Sequence, residues 1–358
     1  MSTIRQMVMP LRYVQGPGAL ELLGPHAAIL GRSAYVIGES VALSIAGERV
    51  RKSLASAGIS ISLWVDTVKE CTHANIDGLS ARADGADVDL VVGVGGGKAI
   101  DTAKAVANKL RIPACTVGTQ CATNADASGE SVVYTDNHEY VESIKLRSNP
   151  ALVIEDTDIL AGAPVKYLIQ GMGDALSCRF EAQAFAKMRE EKGGGPVPLA
   201  ATLALAESCY RTLMSSGVKA VEDLRNGICS DEVEGIIEAV KFTSSVAFEN
   251  SSCAMAHAVH NGLTTIKGVE GAHGEIVAYG TIVQCVYEGR PVEETRSVYE
   301  WCKELGLPTS LKMLGAPSRD KVEVAARNAC ADSDMKCMPG KVVLEDLIRA
   351  METVERGF

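Results

Sequence analysis

Three of the six histidines, His257, His260 and His273, lie within one stretch, AHAVHNGLTTIKGVEGAH. On a helix, His257 and His260 stand one turn apart and share a face. His273 follows a glycine-containing loop and opens another apolar helical pattern. Two imidazoles brought together this way suit a divalent metal, with a carboxylate from elsewhere in the chain as third ligand. Asp174, in GMGDALS, is the best candidate for that carboxylate. It stands among small residues on a helix that otherwise reads as buried, where an unpaired carboxylate is costly. Three protein ligands leave one coordination position open for a substrate hydroxyl. His26, His73 and His138 read as ordinary surface or loop residues.

A second chemical signal is LVVGVGGGKAIDTAK, from Leu90 to Lys104. An apolar strand runs into Gly95, Gly96 and Gly97 and at once into a helix. Glycines let the backbone approach a pyrophosphate, and the amides and dipole of a helix N-terminus stabilise its charge. Lys98 adds a cation at the same place. The spacing matches neither GxGxxG nor the Walker A pattern. Glu39, in YVIGES at the end of the first strand, can accept hydrogen bonds from both ribose hydroxyls of an adenosine. It would also repel a 2′-phosphate, which favours NAD over NADP. The polar run Cys115–Tyr134 has small residues suited to ligand contact through Thr116, Thr119 and Ser128, and proximity alone gives the expectation that Glu130 and Tyr134 line a nicotinamide pocket. A metal that lowers a hydroxyl pKa next to a nicotinamide is the chemistry of hydride transfer from an alcohol.

These residues need two kinds of scaffold. Ser33–Gly38, Ile61–Val65, Leu90–Gly93, Pro113–Thr119, Ser131–Thr135 and Ala151–Ile154 read as strands, separated by helical patterns at Val41–Ala57, His73–Asp84 and Ala99–Leu110. That alternation predicts a parallel sheet of βαβ units, which binds nucleotides at the C-terminal ends of its strands. After Asp156 strand signals vanish, and Val165–Met188, Leu199–Ser215, Asp231–Glu249, Ala254–Ile266 and Leu344–Glu355 carry helical periodicity. The expected division is an α/β dinucleotide-binding domain over residues 1–160 and an all-α metal-binding and catalytic domain over 161–358. Gly193–Pro198 reads as an inter-helix loop. With 358 residues and 47% hydrophobic content, two cores are feasible. The net charge of −10, with no basic run, argues against a nucleic-acid partner. Charges and glycines interrupt each apolar run before it could span a bilayer. Eleven cysteines without framework spacing, and no signal-peptide pattern, predict reduced thiols in the cytoplasm.

Several ordered motifs resemble the iron-containing (group III) alcohol dehydrogenases, and within them the glycerol dehydrogenase branch. RYVQGPGAL at Arg12–Leu20 is similar to the opening segment of that branch, and GGGKAIDTAKAVA at Gly95–Ala107 to its dinucleotide signature. GMGDALSCRFEA, AHAVHNGL and HGEIVAYG resemble its metal-site segments. The resemblance implies a dehydroquinate synthase-like fold, a nucleotide-binding α/β domain followed by a helical metal domain, commonly as a homo-oligomer. It implies Asp174, His257 and His273 as metal ligands, the glycine triplet with Lys98 as pyrophosphate site, and His260 as a group behind the ligands or a proton relay. Zinc is implied ahead of iron, although the ligand set alone does not choose between them.

Two positions depart from the family pattern. Glycerol dehydrogenases carry an aspartate where this chain has Asn124. An amide still bonds a hydroxyl but does not repel an anion, which opens a 2-hydroxycarboxylate alternative to the small secondary alcohol; Asp126 lies close enough to compensate. Cys178, four residues after Asp174, stands where some members place a histidine ligand, and it reads here as a small core residue rather than a fourth ligand. A dehydroquinate synthase-like cyclase is disfavoured because AHAVHNG does not reproduce that enzyme's GHTxGHA-like stretch. A catalytically inactive NAD- or metal-binding protein is disfavoured because all three ligand candidates are retained.

Overall fold

The computed structural model describes residues 4–137, 139–316 and 319–357, so His138 lies outside the described residues. Two compact units emerge: Val8–Tyr167 with Asp223–Ser245, and Leu168–Glu222 with Val246 onward and the described residues before Val8. The division thus falls inside the helix Val165–Lys192, seven residues beyond the expected 160/161 boundary. Asp223–Ser245, expected with the helical part, belongs to the α/β unit. Its contacts with the strand Tyr13–Gly16 help to hold it there. Tyr13 and Phe242 stack with ring centroids 4.7 Å apart, and Gln15 donates to Glu234 at O and Oε2 over 2.9 and 2.8 Å.

The α/β unit is built on six parallel strands, β1 (Tyr13–Gly16), β2 (Ser33–Gly38), β3 (Ser60–Val65), β4 (Leu90–Gly95), β5 (Ala114–Gly118) and β8 (Leu152–Asp156). Their order is β1-β8-β5-β4-β2-β3. β2 and β4 are buried throughout, because helices cover both faces of the sheet and no solvent face is left to alternate with. Val36, Val92 and Val117 pack on one face against Ala46, Val50 and Leu54 of the helix Ser40–Ser56. Tyr35, Ile37 and Val91 pack on the other against Ala99, Ala103 and Val106 of the helix Gly97–Leu110.

β6 (Glu130–Tyr134), expected in the parallel sheet, instead pairs antiparallel with β7 (Tyr140–Lys145) as a separate hairpin. Its burial alternates, with Ser131 and Val133 inward, the mark of a strand with one covered face. β1 and β7 carry no expectation, being short or polar.

Among the described residues, the other unit is helical apart from one isolated bridge, Arg5 with Val197. The helices Val165–Lys192, Ala200–Arg225, Met255–Thr264, His273–Tyr287 and Leu344–Arg356 stand where periodicity or the His273 motif placed them. Val292–Leu305 and Arg319–Ala331 are additional. Asp231–Glu249, expected as one helix, carries a π-turn at Ala239–Thr243. Among the described residues no helix is long and apolar enough to cross a membrane.

Candidate active site

Asp174, His257 and His273 come from three helices of the helical unit, and their ligand atoms lie within 4.8 Å of one another. Asp174 Oδ1 is 3.4 Å from His257 Nε2 and 3.4 Å from His273 Nε2. Two ligands bound about 2.1 Å from a tetrahedral ion stand about 3.4 Å apart, whereas a charge-assisted hydrogen bond closes to about 2.8 Å. The spacing fits co-ligands of a divalent ion. Asp174 is only 5% exposed, and its Oδ1 is a buried oxygen without a hydrogen-bond partner. Burial opposes its ionisation, but His273 and then His257 outweigh burial and hold the carboxyl well below its usual range. A buried, ionised, unpartnered oxygen facing two imidazole nitrogens fits a divalent cation.

Small residues beside the ligands bring the three helices this close. A Cβ on Gly274, next to His273, would sit 1.8 Å from the Gln170 carbonyl oxygen and 3.0 Å from the Asp174 nitrogen. A Cβ on Gly280 would sit 2.3 Å from the carbonyl oxygen of Ala256, the neighbour of His257. The backbones of these helices are therefore in direct contact, which no side chain would permit.

Behind His257 stands a residue that the sequence reading missed. Glu181 is fully buried, seven residues after Asp174 on the same helix and therefore on the same face. Its Oε2 accepts from His257 Nδ1 over 2.7 Å, and its Oε1 from the backbone nitrogens of Ala254 and His257 over 2.7 and 3.1 Å. With Nδ1–H committed to a carboxylate, Nε2 is the nitrogen that His257 turns toward Asp174, and the one that would coordinate a cation displacing its proton. Phe248 packs edge-on to the ring, centroids 5.3 Å apart. The i, i+7 acidic spacing after Asp174 was the available signal. Cys178 packs with Ala182, Ala206 and Ala247 in a small apolar cluster, as the core reading expected.

His260 Nε2 lies 3.1 Å from His273 Nδ1, on the side of that ring away from Asp174. Burial, and then the neighbouring His273, hold His260 well below the ordinary histidine range, so it is a neutral imidazole.

In the α/β unit Gly95 ends β4 with φ +151°, Gly96 precedes the first helical turn and Gly97 begins it. Glu39 directly follows β2, which pairs with β4, and its Oε1 accepts from Gly96 N over 3.3 Å. The acidic residue and the glycine turn are therefore neighbours in the fold. Gln120, which the sequence reading did not select, lies over Gly96: a Cβ there would be 1.9 Å from its Nε2. Thr119 joins the turn through its nitrogen, 3.1 Å from Gly95 O. Lys98 is not a free cation, since its Nζ pairs with the buried Glu70 at 2.8 Å.

Three other selected residues face inward. Thr116 is fully buried and donates its hydroxyl to Asp126 O over 2.9 Å. Ser128 Oγ accepts from Lys104 Nζ at 3.0 Å. Tyr134 packs edge-on to Tyr140, and burial, then Asp101 and Glu70, push its phenol to about 12. Glu130 is taken up by Lys145 and by Ser143, whose hydroxyl donates over 2.7 Å. His26 pairs with Arg12 and His73 with Glu142, as surface residues do.

Asn124 donates to Ser244 Oγ over a long 3.5 Å contact. Two buried lysines pin its loop. Lys104 Nζ donates to Ala125 O at 2.6 Å and to Ser128 O at 3.2 Å. Lys241, on the π-turn, pairs with Asp126 Oδ2 at 2.5 Å, both side chains 1% exposed. Asp126 is therefore committed and does not stand in for the missing aspartate at position 124. Glu155 completes this buried cluster; burial raises its pKa well above the usual value, with Lys241 opposing and Asp126 adding to the rise.

A glycine turn on a parallel sheet and a carboxylate–imidazole–imidazole cluster on helices are parts that a metal-dependent dehydrogenase needs. The profile of the iron-containing alcohol dehydrogenases matches residues 10–157. A glycerol dehydrogenase from Citrobacter freundii is 38% identical over 97% of this chain and 96% of its own. The crystal structure of glycerol dehydrogenase from Schizosaccharomyces pombe superposes with a TM-score of 0.91 at 30% identity, over 99% of this chain and 91% of that one. Hydroxycarboxylate dehydrogenase A from Escherichia coli K12 is 29% identical over 90% of this chain and 88% of its own. The chain belongs to the iron-containing alcohol dehydrogenase family. It is a metal-dependent alcohol dehydrogenase, on the branch that holds the glycerol dehydrogenases.

Proposed function

We propose that this chain interconverts glycerol, or a related vicinal diol, with the corresponding hydroxyketone, using NAD and one divalent ion, zinc in preference to iron, held by Asp174, His257 and His273. The observation that carries the reading is the unpartnered, buried Asp174 Oδ1 at 3.4 Å from two imidazole nitrogens. When bound, the ion supplies Lewis acidity that makes an alcohol proton easier to remove, and NAD supplies the hydride acceptor. Glu181 holds His257 in the tautomer that ligates. Gly95, Gly96 and Gly97 bring backbone close to the pyrophosphate, and Glu39 takes the adenosine ribose and disfavours a 2′-phosphate. Asn124 offers an amide to a substrate hydroxyl. Most of the eleven cysteines are buried and all are free, which supports a cytoplasmic setting. The family resemblance supports a homo-oligomer, which light scattering on the purified protein tests.

The test is NADH formation from a panel of diols and 2-hydroxy acids by protein of measured metal content, before and after chelation and after reloading with Zn2+. Activity on glycerol-like diols, lost on chelation and restored by Zn2+, is expected. Metal-loaded protein that reduces no NAD with any diol overturns the reading. A second reading, oxidation of a 2-hydroxycarboxylate, is favoured by the neutral Asn124 and by Asp126, whose charge Lys241 offsets. Turnover of 2-hydroxy acids with silence on glycerol would select it.

A further inference from the structure

His257 has a buried carboxylate behind it, whereas His273 opens its helix with a side chain 42% exposed and no carboxylate at its Nδ1. Its orientation therefore needs another source. Hydrogen bonds continue from its Nδ1 through His260 to the amide of Asn261, whose Oδ1 is 2.9 Å from His260 Nδ1. Asn261 Nδ2 in turn faces two carboxylate oxygens, Asp332 Oδ2 at 3.1 Å and Asp334 Oδ2 at 3.5 Å. Asp332 is itself locked by the Asp334 nitrogen, which donates to its Oδ1 over 2.8 Å.

We infer that Asn261, oriented by Asp332 and Asp334, is a positioning residue that sets the tautomers of His260 and His273 and so directs the His273 Nε2 lone pair toward Asp174. An ionised carboxylate only accepts, so the amide must turn its NH2 toward Asp332 and Asp334 and its oxygen toward His260. His260 Nδ1 then carries the hydrogen, and a neutral ring so bonded leaves Nε2 as an acceptor. That acceptor requires the hydrogen of His273 on Nδ1, which leaves its Nε2 bare. Each step follows from the donor and acceptor capacity of the previous group. Both ligand imidazoles thus end on carboxylates, His257 directly on Glu181 and His273 through an imidazole and an amide. His260 Nε2 is occupied in this arrangement, which assigns it to orienting His273 rather than to relaying a proton.

This inference rests on the metal reading above, but its first test does not. Nitrogen-15 histidine spectra of the metal-free protein, at a pH where the rings are neutral, are expected to show His260 and His273 as Nδ1–H tautomers. Asn261→Leu and Asp332→Asn are expected to mix the His260 tautomers. The same variants, titrated with Co2+ against a chromogenic chelator, are expected to bind about 10- to 100-fold more weakly, with an altered Co2+ visible spectrum and unchanged circular dichroism. A parent with His273 as the Nε2–H tautomer overturns the inference. So do Co2+ affinities within twofold of the parent in both variants. A parent that binds no Co2+ yet shows both Nδ1–H tautomers refutes the proposed function and leaves this inference standing.

Discussion

Replacing Lys241 by methionine separates the buried ion pair from the loop it holds. Its Nζ pairs with Asp126 Oδ2 at 2.5 Å, and both side chains are 1% exposed. Asp126 Oδ1 and both Glu155 oxygens have no hydrogen-bond partner, so no second donor compensates. Methionine fills nearly the same volume, so the loss is electrostatic and not a cavity. Removing one member of a buried pair costs about 3–5 kcal/mol, a large share of the about 5–15 kcal/mol that holds a typical domain. Urea unfolding at neutral pH reads the loss as a lowered midpoint. Adding Asp126→Asn removes the stranded charge and should return much of it. The pH dependence has a defined sign. Burial raises the folded pKa of Glu155 above its unfolded value, while Lys241 works against that rise. A group raised in this way stabilises fully below its unfolded pKa and loses that contribution as pH climbs through the folded one. Without Lys241 the folded value climbs further, so the variant's deficit should shrink as pH falls through the interval between the variant's folded value and the parent's lower one. A deficit below about 1 kcal/mol, or one that does not shrink on acidification, refutes the account of this cluster.

Gly274→Ala should weaken Co2+ binding at least 10-fold while helix content by circular dichroism holds, because its Cβ would meet the Gln170 oxygen at 1.8 Å; parent-like affinity would show that the helices need not touch. Glu39→Ser should raise the ratio of NADP to NAD turnover, and an unchanged ratio would remove Glu39 from the ribose. Asn124→Asp should shift kcat/KM toward neutral polyols and away from 2-hydroxy acids; equal selectivity in both enzymes would show that position 124 does not face the substrate.

Local signals in the chain were strong where one residue type has one physical use. Three glycines between a buried strand and a helix, an acid after β2, and histidines spaced one helical turn apart are legible because backbone approach, ribose bonding and shared helix faces are local matters. Fully buried strands such as β2 and β4 stand out as unbroken apolar runs. β6 misled for the same reason: VVY reads as a sheet strand, and only its pairing with β7 shows that it belongs to a hairpin.

What the linear order could not decide was how side chains spend their hydrogen bonds. Thr116 and Ser128 have the chemistry of ligand contacts, yet their hydroxyls are committed to loop and lysine partners. Lys98 is committed to Glu70. Glu181 and Asn261 lie inside the metal-site segments without the residue type of a ligand, and their partners become visible only because folding sets them behind His257 and His260. Asp126, Glu155 and Lys241 lie far apart in sequence and meet only in the folded α/β unit. Residue type determines which bonds a side chain can make; packing alone decides which one it makes, because a buried donor or acceptor must satisfy itself with whatever the fold brings within about 3 Å.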